Sequence, residues 1–119
     1  MGTQSSVTET VVRKHLQAFI EQKGVAAILS DYDDDARFYS GTKIYRGKRE
    51  INDFFVQFMS ALPAGAVERF ALKSLQIDGN LAYITWNVGD DIPLGTDTFF
   101  VDNGKIVSQT FAMYTAPVK

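Results

Sequence analysis

Apolar and polar positions follow two different periods along the chain, and the period changes near residue 67. In the first half, apolar residues recur every three or four positions: Val12, Leu16, Phe19 and Ile20, then Ile51, Phe54, Phe55, Phe58 and Leu62. That spacing predicts two amphipathic helices. The first is entered at Ser6, where Ser6-Val7-Thr8-Glu9 has the form of a capping box, and runs to about Gln22 with Gly24 as its stop. The second runs from Lys48 to Leu62, led by Gly47 and ended by Pro63-Ala64-Gly65. Between them, Val25 to Leu29 predicts a short helix, Asp31 to Ala36 a solvated acidic turn, and Arg37 to Tyr39 a short strand.

From Val67 onward the period is two. Strands are predicted over Val67 to Ile77, Leu81 to Val88, Thr96 to Val101 and Lys105 to Tyr114, parted by turn residues at Asp78-Gly79-Asn80, Gly89 to Gly95 and Asp102-Asn103-Gly104. Asn-Gly is a strong hairpin signal because a type I′ turn needs positive φ at both central residues. Every connection is short, which predicts antiparallel pairing. Helices precede strands, which argues for an α+β domain.

Alternation sorts these strands into two faces. Ala82, Ile84, Trp86, Val88, Asp97, Phe99, Val101, Val107, Gln109, Phe111 and Met113 form the more apolar face, expected to meet the helices. Leu81, Tyr83, Thr85, Asn87, Phe100, Ile106, Thr110, Ala112 and Tyr114 fall on the other. Tyr83, Phe100 and Tyr114 there make an aromatic patch suited to a homodimer packed sheet to sheet. Asp97 stands out, because a carboxylate on an apolar face is costly unless neutral or hydrogen-bonded, and burial raises its pKa. His15, three residues after Val12 and four before Phe19, lies on or beside the buried helix face.

Composition narrows the function classes. A chain of 119 residues fits one domain with one core. A net charge of −2 gives no basic footprint for nucleic acid. Without cysteine there is no disulfide, thiolate or Cys-based zinc site, and one histidine offers no metal set, so no metal or cofactor is expected. Asp31, Asp33 and Asp35 begin like a calcium loop, but Ala36 and Thr42 stand where glycine and glutamate are needed. Lys43, Arg46, Lys48 and Arg49 read as a solvated basic face. No apolar run reaches the ~18 residues of a membrane helix, so a cytoplasmic protein is expected. Met1-Gly2-Thr3-Gln4-Ser5-Ser6 fits a loose myristoylation pattern, and residues 1–5 are expected to be flexible.

The order of elements, with the Tyr32-Asp33-Asp34-Asp35-Ala36 segment and Gly47 leading a helix into a curved sheet, resembles the nuclear-transport-factor-2-like superfamily. The likeness is nearest to its SnoaL-like and ketosteroid-isomerase-like branch. It spans Val11 to Tyr114. The resemblance implies a cystatin-like cone over residues 1–119: a curved antiparallel sheet covered by about three N-terminal helices, with a deep apolar pocket. It also implies a cofactor-free acid–base chemistry of the isomerase or polyketide-cyclase kind. Ketosteroid isomerases use an Asp base with an oxyanion hole of a Tyr and a protonated Asp. Asp97, ahead of Thr98-Phe99-Phe100-Val101-Asp102-Asn103-Gly104-Lys105, matches the oxyanion Asp. His15 stands in place of the Tyr, and Ser40 in place of the base.

Two chemistries follow for His15 and Asp97. Either Asp97 orients His15 as a general base, or both donate to an oxyanion. Trp86, Phe99, Phe111, Met113, Gln109, Tyr39 and Phe58 are the expected substrate-binding residues, with Tyr32 as a further polar neighbour. The leading function is an isomerase, cyclase or lyase acting on a small apolar or aromatic, ring-containing ligand. The alternative is a dimeric ligand-binding or association domain without catalysis.

Overall fold

The computed structural model describes residues 3–117. Met1 and Gly2 of the myristoylation pattern lie outside them. Three helices, α1 (Gln4–Ile20), α2 (Val25–Leu29) and α3 (Gly47–Ala61), pack on a curved open sheet. Its strands are β1 (Tyr32–Ser40), β2 (Lys43–Arg46), β3 (Phe70–Asp78), β4 (Leu81–Val88), β5 (Ile92–Asp102) and β6 (Lys105–Tyr114), in the order β2-β1-β6-β5-β4-β3. Register shifts interrupt four of the five strand pairings. Bulges of this kind bend and twist a strand, and they curl the sheet around its apolar face.

Helix α1 starts three residues earlier than the capping-box pattern suggests. Thr3 is the cap: its hydroxyl accepts a hydrogen bond from the Ser6 amide at 3.1 Å. Ser6 lies inside the helix, and Glu9 pairs with Arg13 instead of reaching back. Gln4 and Ser5 are therefore helical rather than loose. The Ser5 hydroxyl accepts from the Gly79 amide and the buried Thr8 hydroxyl donates to the Gly79 carbonyl, which pins α1 across the β3–β4 turn. Val12, His15 and Leu16 are buried as the spacing predicts, but Ile20 is exposed because the helix ends there.

Helix α3 presents Ile51, Phe54 and Phe55 to the core. Gly47, at φ +76°, makes the sharp entry, and Glu50 reaches back to the Arg46 amide at 2.8 Å. Asn103 and Gly104 both have positive φ, as the β5–β6 hairpin demands.

Four expectations about the strands are corrected. The sheet contains one parallel pair, β1 with β6, because the two strands are far apart in sequence and meet without a direct turn. Residues 67–69 form a turn, and β3 begins at Phe70. Ile106 is fully buried although alternation places it outside, because a bulge between Phe100 and Val101 pairings shifts the phase of β6 at Val107. The segment read as a solvated acidic turn begins with buried Asp31 and Tyr32 and is the start of β1. Among the described residues, no helix is long and apolar enough to cross a membrane.

Candidate functional site

The concave face of the sheet and the three helices enclose a cavity of about 50 Å³. Eight of the nine phenylalanines line it, and the ninth, Phe100, lies on the outer face. Phe38, Phe54, Phe55 and Phe99 are buried at its depth, while Phe19, Phe58, Phe70 and Phe111 are partly exposed and mark its open end. The rings meet mostly edge to face, as between Phe58 and Phe111 at 5.5 Å, a geometry that suits the aromatic quadrupole.

Three polar side chains enter this wall: His15 from α1, Asp97 from β5 and Gln109 from β6. Asp97 is 7% exposed. Its Oδ1 accepts from Trp86 Nε1 at 2.7 Å and its Oδ2 from Gln109 Nε2 at 2.7 Å. Burial pushes its carboxyl up to about 7, and the bonds from Trp86 and Gln109 only partly offset this. Gln109 is held from behind by the buried Tyr32 hydroxyl, which donates to Oε1. Burial, then the Asp97 and Asp31 charges, push that hydroxyl well above the ordinary tyrosine range.

The approach of Trp86 to Asp97 depends on Gly95. Trp86 and Gly95 face each other across β4 and β5. A Cβ at Gly95 would lie 2.2 Å from the indole ring. The bare backbone lets the ring lie over β5 and reach the carboxylate two residues on.

His15 does not hydrogen-bond to Asp97. Its Nδ1 faces Asp31 Oδ2 at 3.6 Å, long for a hydrogen bond but within ion-pair reach. Both atoms are buried without a hydrogen-bond partner, so each is the polar neighbour of the other. Asp31 also accepts from Lys14 at 2.6 Å. Burial would raise the Asp31 carboxyl, but His15 and Lys14 together outweigh it and hold it below the ordinary range. The imidazole is wedged edge-on against Tyr32, Phe55 and Phe99. With Nδ1 turned to Asp31, Nε2 is the nitrogen left for a ligand.

The residues expected at the site thus divide. His15, Asp97, Trp86, Phe99, Phe111, Gln109 and Phe58 line the cavity. Tyr39 and Met113 do not: each is about two-fifths exposed, Tyr39 because it alternates against buried Phe38 and Met113 because β6 has left the covered part of the sheet. Asp31 was not among them. An aspartate in an acidic run looks solvated, and the one signal in its favour is the neighbouring Tyr32, an aromatic that needs burial. Among the described residues no group of three His, Cys, Asp or Glu side chains converges as a metal set.

Residues 12–109 match the SnoaL-like domain model. The chain belongs to the SnoaL-like domain family. Solved structures share its fold at low identity. An NTF-2 like protein of unknown function from Burkholderia xenovorans LB400 superposes with a TM-score of 0.77 at 21% identity, over 99% of this chain and 90% of that one. A protein from Kribbella flavida provisionally designated a ketosteroid isomerase gives 0.73 at 16%, over 98% and 84%. One from Sinorhizobium meliloti provisionally designated a polyketide cyclase gives 0.70 at 16%, over 87% and 94%. No curated protein matches the chain. This SnoaL-like domain therefore has the cone and its apolar, small-molecule type of pocket, with a buried His15–Asp31 pair and a separate Asp97 carboxyl set into it.

Proposed function

We propose that this SnoaL-like domain is a cofactor-free acid–base enzyme, an isomerase, cyclase or lyase, acting on a small ring-containing carbonyl or phenol. The observation that carries the reading is the presence of His15 and Asp97 in one phenylalanine-lined cavity, each on its own hydrogen-bonding or ion-pairing support. His15, oriented by Asp31, takes a proton from the substrate at Nε2. The resulting imidazolium is matched by the buried Asp31 carboxylate. Asp97, neutral below about pH 7, donates a hydrogen bond to the developing oxyanion. The ring stacks against the aromatic wall. The orienting carboxylate in this scheme is Asp31, in place of Asp97. The designations of the Kribbella and Sinorhizobium fold neighbours, an isomerase and a cyclase, accord with this class.

A dry cavity of ~150 Å³ holds benzene. The cavity here is about 50 Å³, so a ring enters only if Phe58 and Phe111 at the open end turn aside. The test is a panel of ring ketones and phenols followed by Trp86 fluorescence and by product formation, with His15→Ala and Asp97→Asn as controls. Saturable binding with turnover lost in folded variants supports the enzyme. Binding that persists without any turnover in the unaltered protein would overturn the catalytic part and leave a ligand-binding domain.

The same reading includes a homodimer through the outer sheet face. Tyr83, Phe100 and Tyr114 are all exposed there, joined by Leu81 paired with Phe100 and Leu94 paired with Tyr114. An apolar patch of this kind favours a partner surface. Light scattering on the protein and on Phe100→Lys, which should shift a dimer to monomer, decides it.

A further inference from the structure

Two buried polar side chains near Asp97 take no direct part in acid–base chemistry. Tyr32 is 1% exposed and does not line the cavity; Gln109 is 2% exposed and joins Tyr32 to Asp97. Tyr32 sits at the start of β1 and Gln109 on β6, and the two strands run parallel.

A carboxamide is a donor at one end and an acceptor at the other, and its neighbours decide which end points where. With its nitrogen toward Asp97, Gln109 favours the carboxylate. Turned by half a rotation, its oxygen faces Asp97 and favours the acid, which then donates to it. In that turned state the amide nitrogen faces the Tyr32 oxygen, which can accept. The Tyr32 hydrogen is then left without a partner, since its one hydrogen bond among the described residues is to Gln109. A buried unpaired donor is unfavourable. The hydroxyl also keeps its proton throughout the working pH range, because burial and the nearby carboxylates oppose its ionisation.

We propose that Tyr32 is a positioning residue: from outside the cavity its hydroxyl locks the Gln109 carboxamide with the nitrogen toward Asp97, so that Asp97 accepts from Gln109 and its own proton is left for the cavity instead of being donated to the amide. This rests on the reading that Asp97 is the working carboxyl of the cavity. It goes beyond that reading by assigning a part of the site that substrate never touches. The titratable groups around Asp97 are few. Helix α1 presents His15, the α2–β1 junction Asp31 and β1 Tyr32. Helix α3 presents phenylalanines, α2 presents Ile28, and β4 and β6 present Trp86 and Gln109. The lock is therefore the main polar influence on Asp97 besides Trp86.

The experiment is a ¹³C NMR titration of the Asp97 carboxyl, assigned by its loss in Asp97→Asn, with the His15 ring followed separately by ¹⁵N. Tyr32→Phe removes only the hydroxyl and should raise the Asp97 midpoint by about half a pH unit or more. Gln109→Leu should raise it at least as far. In the Gln109→Leu background, Tyr32→Phe should add nothing, because its effect passes through the amide. Site-specific 3-fluorotyrosine at position 32 preserves packing, strengthens the donor and should lower the midpoint, which covers a Tyr32→Phe protein that fails to fold. An unchanged midpoint in folded Tyr32→Phe, a full Tyr32 effect without Gln109, or no fall with fluorotyrosine each overturns the lock. The titration needs no substrate, so its failure leaves the proposed enzyme standing. Absence of turnover alongside the expected shifts would count against the enzyme alone.

Discussion

The Trp86 indole donates to Asp97 at 2.7 Å across two strands, and it can do so because the residue opposite Trp86 is Gly95. Its backbone is not in the left-handed region, so the glycine is there for space alone. Gly95→Ala forces the indole away from β5 and breaks its bond to the carboxylate. The variant should fold with a loss of about 1–3 kcal/mol, the usual range for an overpacked core. A red-shifted Trp86 emission and a lower melting temperature would report it. An unchanged emission maximum would mean that the ring finds room elsewhere.

The stability of the protein should depend on pH through Asp97. Its carboxyl titrates near 7 when folded and near 3.8, the ordinary aspartate value, when unfolded. Between those values the folded state keeps a proton that the unfolded state has lost. This group's stabilisation is fully present below about pH 4, declines as pH rises to about 7, and stays lost above it. The span corresponds to roughly 4 kcal/mol at 1.36 kcal/mol per unit. Urea denaturation at pH 4.5 and 8 should therefore show Asp97→Asn gaining on the unaltered protein at the higher pH. Parallel behaviour of the two would place the Asp97 titration elsewhere. Asp31 acts in the opposite sense, since its carboxyl is lowered, and its contribution is lost only as pH falls through the acidic range.

Asp31 should matter more to His15 than to the fold. Asp31→Asn keeps the size but removes the charge that faces Nδ1. Turnover should fall by ~10²- to 10⁴-fold, the range for a misdirected general base. The ¹⁵N shifts of His15 should show a mixed tautomer. Lys14 is largely exposed, and its pairing with Asp31 contributes little. Full activity in Asp31→Asn would remove His15 from the role of base.

Phe58 should control entry. It stacks on Phe54 at 5.6 Å and meets Phe111 edge-on at the open end. Phe58→Ala should bind planar ring compounds more tightly or faster, while losing about 2–4 kcal/mol of stability, near or below the range for a buried phenylalanine. Stopped-flow fluorescence of Trp86 measures the entry rate. A slower rate in the variant would mean that Phe58 holds the ligand instead of blocking it.

The parts of the site that sequence revealed are those fixed by local period. His15 lies on the buried face by helical spacing, and Asp97 faces the phenylalanines by strand alternation, and both are placed so in the structure. The pairing of His15 was not readable, because Asp31 belongs to an acidic run whose composition resembles a surface turn. Only the tertiary position of α1 over the start of β1 buries it. The parallel contact of β1 with β6 was hidden for a related reason: no turn joins the strands, so no local signal marks the register that sets Tyr32 under Gln109. The slip at Val107 likewise depends on how β6 meets β5, since Lys105 to Tyr114 carries no glycine or proline to mark a bulge.

The place of β6 between β1 and β5 has a kinetic consequence. Helix α1, α2 and the start of β1 are near neighbours in the chain, so His15 and Asp31 can meet early. The Tyr32–Gln109 bond closes a span of 77 residues, and Gln109 also supplies one of the two bonds to Asp97. Contacts over such distances form late, because the chain must surrender its freedom before they repay it. The two halves of the cavity thus have different birthdays: the imidazole and its carboxylate come with the first third of the chain, and the second carboxyl is seated only when the sixth strand slides into the middle of the sheet.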